Sequence, residues 1–228
     1  MIKIELHAHT NDDAYDRIPH TTRQLIDRAA LLGYGALAIT LHDRQLDIAP
    51  HEAYARERGV VLLRGIERTI GGKHVLLINF PAEASEGVGR FSDVPRIKAR
   101  HPDGLVVVPH PFYPIGSAMG DLLEQNAEWI DAIEVNAMYT RQLDYNRPGI
   151  EWARRRGKPL VGNTDLHRLG QMNTTTTLVD APPEPDAICR AIREGRSILQ
   201  TAPLSWPRAV WLMSLMVLGD VMVGRLPR

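Results

Sequence analysis

The sequence predicts an α/β fold in which short parallel strands, covered by helices, form a small and irregular barrel. Seven short apolar runs alternate with segments of helical spacing almost from end to end. This alternation is typical of parallel strands that are joined and covered by helices. The strands are numerous and closely spaced, which favours a barrel over an open sheet. The 228 residues, 44% of them hydrophobic, suffice for one compact domain with a sizeable core.

The predicted elements follow one another in a regular order. The strand runs span residues 2–6, 36–40, 60–65, 75–80, 105–109, 132–135 and 160–162. The helical segments span residues 22–32, 50–58, 120–129, 150–156 and 185–194. In the first of these helices, Leu25, Ala29 and Leu32 share one face. Four of the five helices are followed by a glycine, which is a common residue at a helix C-terminus.

Composition excludes several classes of protein. The 27 basic and 27 acidic side chains give a formal net charge of zero, which argues against bulk electrostatic capture of nucleic acid or anionic lipid. The lone cysteine, Cys189, cannot form an internal disulfide or a cysteine zinc motif. The N-terminal segment does not resemble a secretory signal, because Glu5 and His7 interrupt any apolar run. We therefore expect a cytoplasmic protein.

The C-terminal segment is a separate question. Residues 209–224 form the most apolar stretch and follow two prolines, so we predict a barrel over 1–202 and a helical tail over 203–228. The stretch contains Asp220 and is shorter than the roughly 20 apolar residues that a membrane-spanning helix needs. The sequence favours a core or interface helix. A weak membrane or oligomer contact through 209–224 is the alternative.

Histidines and carboxylates follow nearly every predicted strand. They are His7, His9, His42, Glu67, His110, Glu134, Asp165 and His167. In a parallel barrel the C-terminal ends of the strands meet at one mouth, where active sites of such folds are built. Side chains that are far apart in the sequence are therefore expected to lie in one cleft.

These residue types indicate a metal centre. His7 and His9 alternate along an extended strand, so both can reach one ion, and Asp165 and His167 repeat this spacing. Imidazoles and carboxylates without thiolates suit zinc, manganese or iron and disfavour a purely structural zinc site. One ion needs only about three to six ligands, so we predict two or three divalent ions bridged by Glu67. Such clusters activate water and favour phosphate ester hydrolysis.

Several other candidates have ordinary interpretations. His51 and His101 do not follow a strand, and we expect both to be solvated. Glu134 fits a structural role as well as a ligand role and is left out of the predicted ligand set. His74 precedes a strand, but it follows the third strand so closely that we place it near the mouth. His20 can simply cap a helix.

The ordered set of motifs resembles the PHP (polymerase and histidinol phosphatase) superfamily over residues 1–170. The segments that carry the resemblance are IELHAHT (4–10), ALAITLHD (36–43), GIE (65–67), KHVLLINF (73–80), VVPHP (107–111), IEVNA (133–137) and GNTDLH (162–167). The resemblance implies a distorted (β/α)7 TIM-like barrel with a di- or trinuclear metal cluster and phosphoester hydrolysis as the usual activity.

The resemblance also implies a set of site residues. The implied metal ligands are His7, His9, Asp16, His42, Glu67, His74, His110, Asp165 and His167, and the implied catalytic residues are His42, Glu67 and His167. Leu41 stands where the family usually has aspartate, so that contact is missing or is replaced by Asp43. The acid after the first motif falls among Asp12, Asp13 and Asp16. Asp16 fits the spacing best, and His20 can replace or join it.

Together these observations predict a metal-dependent phosphoric ester hydrolase that acts on a small-molecule phosphoester, without nucleic acid as a partner. Arg44, Arg68, Arg141 and Arg168 stand close to the motifs and are candidates to bind phosphate oxygens. Two alternatives remain open. The same cluster could serve an ester, amide or carbamate hydrolase, or the chain could be a non-catalytic metal-binding partner domain.

Overall fold

The computed structural model describes the backbone of residues 1–221 and the side chains of residues 1–215. The strands in this part of the chain are β1 (Ile2–Glu5), β2 (Ala36–Ile39), β3 (Val61–Ile70), β4 (Lys73–Ile78), β5 (Leu105–Val108), β6 (Ala132–Asn136), β7 (Leu160–Asn163), β8 (Thr175–Val179) and β9 (Ser197–Thr201). The α-helices are α1 (Thr22–Leu31), α2 (Ala49–Glu57), α3 (Ala82–Glu86), α4 (Val94–Arg100), α5 (Leu122–Gln125), α6 (Arg147–Arg156), α7 (Pro185–Arg193) and α8 (Trp206–Val221). All seven predicted strands are present.

The strands form one sheet in the order β7-β6-β5-β4-β3-β2-β1-β8-β9. The strands β1 to β3 and β5 to β7 run parallel, whereas β4 is antiparallel to both of its neighbours. The prediction that all seven strands are parallel is therefore wrong at β4. Gly71 and Gly72 both have positive φ, 58° and 77°, and they form a two-residue hairpin turn that reverses the chain after β3.

The sheet curls into a nearly closed barrel. Just beyond β1 and β7, Ala8 and Leu166 form a parallel bridge. The His9 N–H donates to the Leu166 carbonyl at 3.0 Å, and the Leu166 N–H donates to the His7 carbonyl at 3.0 Å. Within β7, the Gly162 N–H donates to Thr177 Oγ1 of β8 at 2.7 Å. The predicted α/β barrel class is confirmed.

The strands β8 and β9 lie outside the predicted set because their sequences are polar. β8 reads TTTLV, and Thr175 and Thr177 are nevertheless buried. Threonine is β-branched and fits a strand, and its hydroxyl can be buried when it is hydrogen-bonded. Thr175 Oγ1 lies 2.7 Å from Thr201 Oγ1 of β9, and Thr177 Oγ1 donates to the Gly162 carbonyl. Hydrogen bonding thus replaces the apolar pattern that identifies the other strands.

An apolar core closes one end of the barrel. Leu63 of β3 and Ala132 of β6 pack with Ile188 of α7 in one buried cluster. Arg193 of α7 donates to the carbonyl of Gly104, which directly precedes β5. Helix α7 therefore covers the N-terminal ends of the parallel strands. Alternate residues of a strand share a face. Glu67 therefore lies on the same face of β3 as the core residue Leu63, but closer to the opposite end of the barrel.

Helix α8 covers much of the predicted apolar tail, and residues 222–228 lie outside the described part of the chain. Leu212 is buried, whereas Trp206, Val210 and Met213 are about half exposed. No described helix is long and apolar enough to cross a membrane. The division into a barrel over 1–202 and a tail over 203–228 stays a prediction.

Replacing Gly162 by alanine should destabilise the barrel at its seam. A Cβ atom there would lie 2.5 Å from Leu199 Cδ1 and 2.8 Å from Thr175 Cγ2. Overpacking of this kind costs about 1–3 kcal/mol. At about 2–4 °C per kcal/mol for a chain of this size, the melting temperature measured by circular dichroism should fall by several degrees.

Gly89→Ala is the matched control, because a Cβ atom at Gly89 would meet nothing within 4 Å. This variant should keep the melting temperature of the wild type. Equal melting temperatures for Gly162→Ala and Gly89→Ala would contradict the tight contact of β7 with β8 and β9.

Candidate metal centre

One buried carboxylate lies at the centre of the mouth. Glu67, near the end of the long strand β3, is 1% exposed. Its two oxygens face five imidazoles from four other segments of the chain. Oε2 lies 3.3 Å from His7 Nε2, 3.4 Å from His9 Nε2 and 3.1 Å from His42 Nε2, and Oε1 lies 2.7 Å from His74 Nδ1 and 3.3 Å from His110 Nε2. The predicted convergence on Glu67 is therefore present.

A second carboxylate, Asp165, approaches from the end of β7. Its Oδ1 atom lies 3.3 Å from His7 Nε2, 3.6 Å from His9 Nε2 and 3.5 Å from His167 Nδ1. The Nε2 atoms of His7 and His9 therefore face both Asp165 and Glu67. This places two imidazoles and two carboxylates around one small space.

The geometry of this space fits a divalent cation. The Nε2 atoms of His7 and His9 are buried and have no hydrogen-bond partner. They lie 3.3 to 3.6 Å from the carboxylate oxygens of Glu67 and Asp165. Two ligand atoms bound tetrahedrally at about 2.0–2.1 Å from a zinc ion are roughly 3.3 Å apart. The ligand atoms are thus spaced for an ion between them.

Three groups of side chains in the described residues could each hold an ion. The groups are His7, His9 and Asp165; His9, Asp13 and His42; and His42, Glu67 and His74, with ligand atoms within 4.8 Å of one another in each group. The groups share members, as expected for a cluster of more than one ion.

The charges in the cluster are strongly coupled. Burial alone lowers the pKa of His7, but Asp165 and Glu67 outweigh burial and raise the pKa well above its usual value. Burial alone would raise the pKa of Glu67, but His7 and the other imidazoles hold it well below its usual value. For His42, hydrogen bonds to Asp13 and Glu67 outweigh burial and raise the pKa to about 11. Protons on the imidazoles therefore balance the carboxylates where no cation does so.

Two of the predicted ligands are held in a strained backbone conformation. His110 has a φ of 32° and Asp165 a φ of 49°, values that non-glycine residues rarely adopt. Such strain costs on the order of 1–3 kcal/mol per residue and is concentrated at functional sites. The backbone is thus bent after β5, where His110 faces Glu67, and after β7, where Asp165 faces His7 and His9.

Glu134 of β6 lies behind the cluster. Its Oε2 atom lies 2.8 Å from His7 Nδ1, and its Oε1 atom accepts from the His110 N–H at 3.2 Å. A carboxylate in this position fixes the orientation of the ring, so that His7 Nε2 faces the cluster. Of the two roles that the sequence allows for Glu134, the contacts favour the structural one.

Two acids of the loop after β1 reach the cluster, although the resemblance favours only Asp16. Asp13 Oδ2 accepts from the His42 N–H at 2.9 Å and lies 3.1 Å from His9 Nδ1. Asp16 Oδ2 lies 3.0 Å from His167 Nε2 and 3.7 Å from His42 Nδ1. Sequence spacing alone cannot tell which of these acids reaches the cluster, because the loop between β1 and α1 is irregular.

The other acidic and imidazole candidates have partners elsewhere. Asp12 Oδ2 accepts from Thr22 Oγ1 at 3.0 Å. His20 Nε2 donates to the His9 carbonyl at 2.9 Å, and burial lowers the pKa of His20 to about 4. Asp43 accepts from Arg68 Nη1 at 2.7 Å, so it does not replace the contact that is missing at Leu41.

The two histidines expected to be solvated are instead half-buried. His101 packs edge-on against Phe80, with ring centroids 6.4 Å apart. Neither His51 nor His101 belongs to a metal-binding group of the described residues. The expectation that both are solvated was wrong, and for His101 the packing against Phe80 accounts for the burial.

The four arginines near the motifs fall into two classes. Arg68 donates to Asp43 and to the Val88 carbonyl, and Arg168 donates to the Leu215 carbonyl at 2.9 Å, so both have structural partners. Arg44 and Arg141 are exposed. Arg44 Nη2 donates to a backbone carbonyl of the loop after β1 at 3.0 Å. Of the four, Arg44 and Arg141 are therefore the most exposed, and Arg68 and Arg168 are partly buried.

Comparison with known proteins finds similarity to PHP proteins. The model of a family described as PHP-associated matches residues 144–197. DNA polymerase III PolC-type from Streptococcus pyogenes is 32% identical over 147 residues, which are 62% of this chain and 10% of the polymerase. A two-domain protein from Bacteroides vulgatus, described as containing a predicted PHP-like metal-dependent phosphoesterase, matches with a TM-score of 0.64 and 17% identity over 94% of this chain and 69% of that chain. These similarities support the resemblance of the chain to the PHP superfamily.

Among solved structures, a lesion-specific endonuclease from Pyrococcus furiosus matches with a TM-score of 0.60 and 17% identity over 93% of this chain and 66% of that chain. A complex of endonuclease Q with a 27-mer duplex that carries an abasic lesion at the active site matches with a TM-score of 0.53 and 15% identity, over 93% of this chain and 67% of that chain. The chain spans about a tenth of the length of the curated polymerase relatives that it matches.

The predicted partner class was wrong. We expected a small-molecule phosphoester and took the net charge of zero as an argument against nucleic acid. Similarity to an endonuclease and to its complex with duplex DNA overturns this expectation. Net charge averages over the whole surface, whereas bound cations can neutralise a phosphate within one site. Overall neutrality therefore does not exclude nucleic acid.

Metal binding should release protons and should strengthen as the pH rises. Without an ion, the raised pKa values of His7 and of His42, the latter about 11, keep these imidazoles protonated at neutral pH. A ligating imidazole must be neutral, so each displaced proton should raise the affinity about tenfold per pH unit. Titration calorimetry with Mn²⁺ in two buffers of different ionisation enthalpy measures the protons released. Identical heats in both buffers and a pH-independent affinity would contradict the charge coupling.

Glu134→Gln should weaken metal binding without destroying the centre. The change removes the negative charge behind His7 Nδ1 but keeps the side-chain volume. Loss of such an orienting carboxylate costs about 10–100-fold in metal affinity. Equilibrium dialysis followed by elemental analysis measures the change. Glu128→Gln, an exposed residue, is the matched control and should bind metal like the wild type; equal affinities of both variants would remove the assigned role of Glu134.

Proposed function

We propose that this chain is a metal-dependent hydrolase that cleaves phosphodiester bonds in nucleic acid. The observation that carries the proposal is the buried Glu67 carboxylate, which faces five imidazoles at 2.7 to 3.4 Å. Divalent ions bound there would supply Lewis acidity, which activates water and neutralises phosphate oxygens. Imidazole and carboxylate ligands without thiolates suit zinc, manganese or iron.

The ligands divide into three sets. His7, His9 and Asp165 would hold one ion, and Glu67, His74 and His110 would hold a second. Asp16, His42 and His167 would hold a third ion, with Asp16 within 3.7 Å of both imidazoles. Glu67 would belong to more than one set, because its two oxygens face different imidazoles.

The residues around the ligands have separate tasks. Glu134 and Asp13 hold the Nδ1 sides of His7 and His9, so that the Nε2 atoms face the mouth. His167 lies at the rim, and its Nε2 atom is 3.0 Å from Asp16. Burial lowers the pKa of His167, but Asp16 outweighs burial and raises it to about 9. In the absence of a third ion, His167 Nε2 is thus placed to hold a proton for the leaving oxygen.

Two features support nucleic acid as the substrate class. A lesion-specific endonuclease and a DNA polymerase III PolC-type are among the similar proteins. Arg44 and Arg141 are exposed close to the mouth, in the loops after β2 and β6. Guanidinium groups in such positions can contact backbone phosphates on either side of the cleaved bond.

Cleavage of labelled single-stranded and duplex oligonucleotides tests the proposal. Wild-type protein should cleave at least one of them with Mn²⁺ or Zn²⁺, and excess chelator should abolish cleavage. Glu67→Gln should lose at least about 100-fold in rate, because metal activation contributes several kcal/mol at about 1.4 kcal/mol per tenfold. His101→Ala is the control and should retain activity.

The other outcomes are equally informative. Turnover of a carboxyl ester or an amide without cleavage of any oligonucleotide would replace phosphodiester hydrolysis by the ester, amide or carbamate alternative. Metal binding without turnover of any substrate would support a non-catalytic metal-binding domain. Full activity of Glu67→Gln would remove the assigned site.

A further inference from the structure

A large cavity opens directly beside the metal centre. Its volume is about 760 Å³, and His110 and Asp165 form its inner end. The loops after β5 and β6 form its sides, and helix α8 forms its outer wall. The side chains that define it are Tyr113, Met138, Tyr139, Tyr145, Trp206 and Met213. We call this cavity the aromatic pocket.

The aromatic pocket does not suit a phosphate group. None of the described residues that line it is a lysine or an arginine. The charged side chains in its wall are those of His110 and Asp165, at the end that it shares with the metal centre. A substrate whose phosphate lies at the metal centre would therefore place an uncharged part in this pocket.

Three of the four aromatic side chains offer ring surface more than hydrogen bonds, because their polar tips are bonded to the protein. The Tyr139 hydroxyl lies 2.8 Å from Thr201 Oγ1, and Trp206 Nε1 donates to Gln142 Oε1 at 3.0 Å. The Tyr113 hydroxyl donates to the Met138 carbonyl at 3.2 Å. These bonds fix the rings and leave their faces for stacking with a planar group.

We infer that the aromatic pocket binds one unstacked base of the substrate while the adjoining phosphate lies at the metal centre. The inference rests on the proposed function, since it takes nucleic acid as the substrate. A volume of about 760 Å³ exceeds what one base needs and allows part of its sugar to enter. Stacking on aromatic rings tolerates every base, because each base has a π face. The pocket thus provides base binding without sequence specificity.

Binding of two matched strands tests the inference independently of cleavage. Both strands consist of abasic residues with hydrolysis-resistant phosphorothioate linkages, and one of them carries a single thymine at its centre. Because the backbones are identical, the ratio of the two dissociation constants isolates the contribution of the base. Fluorescence anisotropy with metal-loaded wild-type protein should show that the thymine tightens binding about 5- to 150-fold, the range that about 1–3 kcal/mol of stacking gives.

Variants of the pocket should reduce this ratio. Tyr139→Ala and Trp206→Ala should each lower the gain from thymine at least threefold, whereas Tyr139→Phe should keep it, because the ring and not the hydroxyl stacks. Tyr54→Ala is the control for removal of an aromatic side chain, since Tyr54 contacts Asp27 and Arg58 and does not line the pocket. Circular dichroism verifies that each variant is folded, and two independent alanine variants keep the test decisive if one does not fold.

The outcomes separate the pocket from the proposed function. Equal affinity of wild-type protein for the two strands, absent binding of both, or an unchanged gain in both alanine variants would overturn the pocket. Equal affinities together with cleavage of oligonucleotides would leave the proposed hydrolase intact. A base-dependent gain without cleavage under any metal condition would support the pocket and overturn the hydrolase.

Discussion

The structure depends on one constraint, which is the burial of the Glu67 carboxylate in the mouth of the barrel. An ionised carboxylate without water must be compensated by positive charge, or its burial is prohibitively costly. Here five imidazoles supply the compensation, and they come from four segments other than β3. The bridge between Ala8 and Leu166 brings the segment after β1, which carries His7 and His9, against the segment after β7, which carries Asp165. Closure of the barrel and assembly of the charged cluster are therefore the same event.

The sequence predicts the strands whose side chains are apolar and misses those whose burial depends on hydrogen bonds. All seven predicted runs form strands, because their residues pack on both faces of the sheet. Thr175 and Thr177 of β8 are buried through hydroxyl contacts that no hydropathy pattern reveals. The antiparallel direction of β4 follows from the hairpin turn at Gly71 and Gly72. The prediction of parallel strands rests on the alternation of strands and helices, and no helix separates β3 from β4.

The candidate site shows the same division. Residues that end strands, such as His7, Glu67 and Asp165, are predictable because the barrel brings strand ends together. Asp13 is not, because its position depends on how an irregular loop returns to the backbone of His42. The phosphate-binding role considered for Arg68 and Arg168 likewise depends on partners outside the motifs. The sequence thus predicts the site residues that follow strands, whereas the roles of Asp13 and of the arginines are decided by contacts that only the folded chain shows.

The metal centre gathers buried charged groups in one place, and the net charge of zero does not reveal this. The cluster around Glu67 is strongly charged, whereas the aromatic pocket beside it has no lysine or arginine among the described lining residues. A substrate with one charged and one planar apolar part matches this arrangement, since each part meets a surface of its own chemistry. Asp165 belongs to both surfaces, so its strained backbone at a φ of 49° sets the distance between them. A change at this turn would therefore alter both metal binding and the fit of the substrate.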